Sequence, residues 1–236
     1  MVLLALSASG LGFGSSGCNE AYFTPKPYGE EHRMEVPGLG AEVWAVAPAI
    51  NLSGHREVDA ILQADLVYQE LQTVRGMTVV PVDRVVQVYA GLGIDRVQSP
   101  QQAALVCDLL GASGLVIPTI TAYDPYTPPK MAASLVLFRR PGGYVRPQST
   151  NPAALLQDNQ PTNAADLRQA VEMFDSQDGS VRKSLLAYAN GRNDPNGPMA
   201  EREYFLSMDR YSLFVYHQLI AELLGIAPEP VVADGK

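Results

Sequence analysis

The chain has 236 residues, a formal net charge of −8 and a pI near 4.9, with 47% hydrophobic residues. That length buries a sizeable core as one large or two small domains, and an acidic balance without any basic cluster leaves no electrostatic footprint for nucleic acid, which is excluded as a partner. Two cysteines, Cys18 and Cys107, cannot build a disulfide framework.

Residues 1–17 carry no charge and run apolar to Ser15-Ser16-Gly17, directly before Cys18. The run is too short and too rich in glycine and serine for a membrane-spanning helix, which needs about 20 apolar residues. It reads instead as a secretory segment ending in small residues, a signal peptide over 1–17. A cysteine after Ser-Gly resembles a bacterial lipobox, which implies cleavage before Cys18 and acylation (palmitate-type lipidation) of its side chain. Two departures stand out: Ser15 occupies the place where such boxes carry leucine, and no lysine or arginine precedes the apolar run. Asn19 is not the aspartate that argues for inner-membrane retention, so the resemblance points to the outer membrane. Residues 18–40 hold Pro25, Pro27, Pro37 and the charged run Glu30-Glu31-His32-Arg33, which is the chemistry of a mobile tether.

A folded unit is expected over 41–224. Glu42 to Asn51 forms a short apolar strand, with Pro48 near its end because proline cannot donate to a ladder. A helix over about Glu57 to Val74 follows from the spacing of Ala60, Ala64, Val67, Leu71 and Val74, and this places Asp65 and Glu70 outward. Met77 to Pro81 is a second strand. Asp83 is a fitting N-cap for a helix with Val85, Val86, Tyr89 and Leu92 on one face. Ser99-Pro100-Gln101-Gln102 is a capped helix start, with Ala103, Val106, Cys107 and Leu110 on one face and Gly111 as the stop. Cys107 then reads as a buried small hydrophobe.

Two strands follow, Leu115 to Tyr123, the candidate central strand, and Met131 to Phe138, whose two apolar faces predict cover on both sides. The tyrosines and prolines around the connection, Tyr123 and Tyr126 among them, are candidate partner-binding residues as well as loop stiffeners. Residues 139–163 break the pattern as an irregular insertion without the alternating ten-residue segments of a membrane hairpin. Ala164 to Phe174 fits a helix, or its end Ala170 to Phe174 fits a last strand. Ser180 to Ala189 is helical, and a long helix over about Met199 to Leu224 carries Tyr204 and Tyr211, which either pack against the sheet or face a partner. Residues 225–236 form a tail.

The resulting class is α+β, a mixed sheet flanked by helices in the order β-α-β-α-α-β-β with a long C-terminal helix. This order, with Val46-Ala-Pro-Ala-Ile-Asn51 first and Leu110-Gly-Ala-Ser-Gly-Leu-Val-Ile117 leading into the central strand, is similar over about 41–138 to several envelope lipoproteins. These are the curli-secretion-channel lipoproteins, the penicillin-binding-protein activator lipoproteins and the N-terminal domain of the Tol system's propeller protein. What the resemblance implies is assembly or partner binding without catalysis, so no catalytic residue is carried over.

A search for chemistry agrees. His32, His55 and His217 have no metal-ligand spacing, Asn51-Leu-Ser-Gly54 is not a nucleophile elbow, and Gly10-Leu-Gly-Phe-Gly14 precedes any strand and lacks a lysine. The expectation is therefore no catalytic residue, no metal and no cofactor. The chain reads as a lipid-anchored, periplasm-facing outer-membrane lipoprotein that binds an envelope protein as a scaffolding, assembly or regulatory module. A homo-oligomeric subunit of a secretion assembly and an enzyme of unrecognised type are the competing readings.

Overall fold

The computed structural model describes residues 32–140, 167–194 and 196–227. Six strands form one mixed sheet: β1 (Glu42–Val46), β2 (Ile50–Asn51), β3 (Met77–Val80), β4 (Gly114–Asp124), β5 (Lys130–Arg139) and β6 (Leu167–Asp175). Their order is β3-β1-β4-β5-β6, with β2 pairing alongside β4. The β1–β3 and β1–β4 pairs are parallel, and β4–β5 and β5–β6 are antiparallel. Among the described residues six α-helices accompany the sheet: α1 (Ala60–Gln72), α2 (Val82–Leu92), α3 (Pro100–Leu110), α4 (Gly179–Ala189), α5 (Glu203–Leu206) and α6 (Met208–Leu224).

Strand alternation sorts the core into two layers. Trp44, Val46, Val116, Leu135 and Leu137 point to α1 and α6, whereas Ala45, Ala47, Leu115 and Phe138 point to α2 and α3. Trp44 sits opposite Gly114 in the parallel ladder, and a Cβ on that glycine would lie 3.0 Å from the indole. Only a glycine lets the central strand pass so close to the ring.

The helix termini follow local chemistry. Asp59 Oδ1 accepts from Ile61 N at 2.8 Å and Leu62 N at 3.1 Å, so α1 starts a few residues later than its apolar period alone predicts. Pro81, not Asp83, is the N-cap of α2, and it lacks a side-chain cap. Asp83 lies instead in the first turn, where the helix dipole favours a carboxylate. Ser99 Oγ accepts from Gln102 N as expected, but the Gln102 side chain reaches Gln98 N rather than Ser99 N. Gly111 closes α3 in the left-handed conformation, with φ of 69°.

Four other expectations change. The segment left open is a strand: β6 alternates, with Ala170 and Phe174 buried under α6 and Val171 and Met173 outward. The expected long C-terminal helix is broken at Ser207, whose extended backbone ends α5 and whose Oγ, accepting from Arg210 N, starts α6. Residues 32–40 are not all tether, because Met34 is buried and exchanges backbone hydrogen bonds of 2.9 Å with Thr73 and Arg75. Finally, α2 and α3 cover only the β3-β1-β4 half of their side of the sheet, so Ala132 and Val136 of β5 are only partly buried.

Candidate functional site

Helices α1 and α6 pack against each other on one face of the sheet, α1 over β1 and β3 and α6 over β5 and β6, and this placement corrects the outward reading of Glu70. Glu70 and Gln63 stand seven residues apart, two turns along one face, and both are buried. The Glu70 carboxylate accepts the Tyr188 hydroxyl at 2.5 Å through Oε1, and His217 Nδ1 lies 3.1 Å from its Oε2. Gln63 Oε1 accepts from Tyr216 Oη at 2.7 Å. Burial, and then the adjacent carboxylate, hold the Tyr188 phenol well above its ordinary range. Arg192 stacks 4.0 Å over the Tyr188 ring and donates to the Tyr188 carbonyl.

A Glu-His-Tyr cluster has the composition of a general acid–base site, but its geometry is that of a structural pin. Glu70, His217 and Tyr188 are 5%, 3% and 4% exposed, so none of the three presents a group to a substrate. Their polar atoms are spent on each other, as buried polar groups require. The sequence signal for this cluster was present, as polar residues at i and i+7 inside an apolar stripe, but the partners Tyr188, Tyr216 and His217 are far away in sequence.

A second polar cluster clips the strand ends. Ser113 Oγ donates to Glu42 at 2.5 Å, and Arg139 forms an ion pair with the same carboxylate. Burial raises the Glu42 carboxyl, but the Ser113 hydrogen bond and the Arg139 guanidinium outweigh it, and the net shift is downward. Arg140 pairs with Asp108 and ties the end of β5 to α3. Among the described residues no group of His, Cys, Asp or Glu has the arrangement of a metal site, and no helix is long and apolar enough to cross a membrane.

Two accessible features are largely apolar. A shallow cleft of about 280 Å³ opens beyond the carboxyl end of β1, between Pro48, Ile61 of α1 and Val86, Tyr89 and Ile94 around α2. Carboxyl-end crevices are where open parallel sheets present ligand sites, and this one carries Asp95 and the Tyr89 hydroxyl among its apolar lining. The second is the part of the sheet that, among the described residues, α2 and α3 leave uncovered. There Leu167, Val171 and Met173 of β6 are exposed, next to the partly buried Val136 and Ala132 of β5.

The candidate binding tyrosines separate by position. Tyr126, in the β4–β5 loop, is 76% exposed, whereas Tyr123 is buried beside His55. Tyr204 and Tyr211 are buried too, in edge-to-face and tilted contacts with Tyr188 and Phe214. Both side chains belong to the core, which selects packing over partner-facing for these two of the candidate binding residues. Cys107 is buried under α2, and loss of solvation pushes its thiol up to about 12. Cys18 and most of the 139–163 insertion lie outside the described residues.

No family model matches the sequence, and no curated protein matches it. Solved structures do match. The LpoB C-terminal domain from Salmonella enterica is 12% identical, covers 59% of this chain and 87% of its own, and has a TM-score of 0.39. Lipoprotein GNA1162 from Neisseria meningitidis is 16% identical over 63% of this chain and 94% of its own, at 0.40. The PelC dodecamer from Paraburkholderia phytofirmans is 8% identical over 82% and 95%, at 0.35. The likeness to these structures is weak and covers only part of the chain in the first two.

Proposed function

We propose that this chain is an outer-membrane lipoprotein, held by acyl groups on Cys18, whose periplasm-facing domain is a non-catalytic assembly, scaffolding or regulatory binding module. The observation that carries the reading is the distribution of polarity. The Glu70–Tyr188–His217 cluster is buried and engaged with itself, while Leu167, Val171 and Met173 on the sheet face and Tyr126 on a loop are exposed. Contiguous apolar surface of this kind marks contact with another macromolecule.

A single acyl chain binds membranes only marginally, so stable anchoring takes more than one chain on the cysteine. Mass spectrometry of the mature protein is expected to show residues 1–17 removed and Cys18 acylated, and a photo-cross-linker at Tyr126 is expected to trap an envelope protein in cells. An intact Met1 on a protein recovered without membrane refutes the anchor. Absence of any adduct at Tyr126 refutes that loop as the contact.

A further inference from the structure

Strand β6 is one edge of the sheet. It pairs with β5 along its full length, from Leu167 opposite Phe138 to Asp175 opposite Lys130, and among the described residues no strand lies on its other side. Its outer backbone N–H and C=O groups are a template for another strand. Edge strands are usually blunted by proline, lysine, a bulge or short length. None of these is present: the nine residues Leu-Arg-Gln-Ala-Val-Glu-Met-Phe-Asp contain neither proline nor lysine, and their register with β5 has no shift.

The side chains alternate in a way that limits what can pair with them. On the α6 side, exposed Arg168 and Glu172 flank buried Ala170; on the open side, Leu167, Val171 and Met173 are exposed, the last two at 60%. We propose that this edge pairs with β6 of a second copy of the chain, antiparallel, about a two-fold axis normal to the sheet at Ala170. The proposal rests on reading the domain as a binding module, and it names a partner for the open edge.

The register follows from symmetry. A two-fold antiparallel pair sets each residue opposite one on the same face, so both α6 layers lie on the same side. With the axis at Ala170, Arg168 of each copy faces Glu172 of the other, Leu167 faces Met173, and Gln169 faces Val171. Each face is then self-complementary: two ion pairs on the α6 side, and on the other an apolar strip of Leu167, Val171 and Met173 from both copies with Gln169 beside Val171. Moving the axis to Gln169 places Arg168 opposite Ala170, and moving it to Val171 places Glu172 opposite Ala170 and Leu167 opposite Asp175. Either shift loses the charge pairing. The Glu172 carboxyl is raised by burial and by Glu222 nearby, and an arginine from the second copy opposes both effects.

Sedimentation velocity on the full chain, in density-matched detergent, tests this register. The wild-type protein is expected to be a dimer. Arg168→Glu and Glu172→Arg each set like charges opposite each other twice and are expected to weaken association by roughly tenfold or more. The double variant Arg168→Glu/Glu172→Arg restores opposite charges and is expected to dimerise again. An equimolar mixture of the two single variants is expected to form a heterodimer, because each supplies what the other lacks. Both side chains are exposed, so circular dichroism should show the fold retained in every variant. A monomeric wild-type chain, a dimer that neither single substitution weakens, or a mixture that stays dissociated overturns the proposal. A chain that stays monomeric while Tyr126 still cross-links to an envelope protein overturns only this inference and leaves the binding function standing.

Discussion

Replacing Glu70 by alanine is the sharpest probe of how the helical layer is held to the sheet. The substitution removes the acceptor of the Tyr188 hydroxyl at 2.5 Å and the carboxylate oxygen 3.1 Å from His217 Nδ1, in a region where both partners are buried. Each stranded buried polar group costs about 1–3 kcal/mol, and breaking a buried cluster of this kind by deleting one member costs about 3–5 kcal/mol in total. An outward-facing Glu70 would give a change within about 0.5 kcal/mol. Urea unfolding separates the two: with a slope of about 2 kcal/mol per molar, the midpoint should fall by roughly 1.5–2.5 M. The triple variant Glu70→Leu/Tyr188→Phe/His217→Leu leaves no polar atom stranded and should recover most of that loss. A Glu70→Ala midpoint that barely moves, or a triple variant no more stable than the single one, refutes the buried-pin account.

Two further outcomes follow from the strand clip and from α3. The Glu42 carboxyl titrates below its ordinary value near 4.5 in the folded protein, so its contribution is complete above that pH and is lost as pH falls through the depressed folded-state value. Acid destabilisation below about pH 4 should be shallower in Glu42→Gln than in wild type, and identical acid limbs in urea titrations would contradict the Ser113–Arg139 clip. Cys107, buried and with its thiol pushed up to about 12, should resist alkylation in the native protein and react in urea. Rapid native labelling would show that α2 and α3 do not cover β4.

Periodicity and punctuation determined most of the elements. Alternation of apolar residues drew β4 and β5 almost to their observed ends, and Ser99 with Pro100 and Gly111 bounded α3, because these signals act between residues a few positions apart. The candidate surface was only half legible: Tyr126 stands on an exposed loop, but Tyr204 and Tyr211, which share the apolar texture of a docking face, are core residues. Whether an aromatic helix face meets a partner or the protein's own sheet depends on what packs over it, and that is not a local property. The same holds for Glu70, which looks solvent-facing within α1 and is buried only because α6 lies across that face and brings His217, with Tyr188 contributed by α4. The edge status of β6 likewise comes from strand order, since the free side of a strand is set by which strand fails to pair with it, and nothing in a nine-residue segment records that.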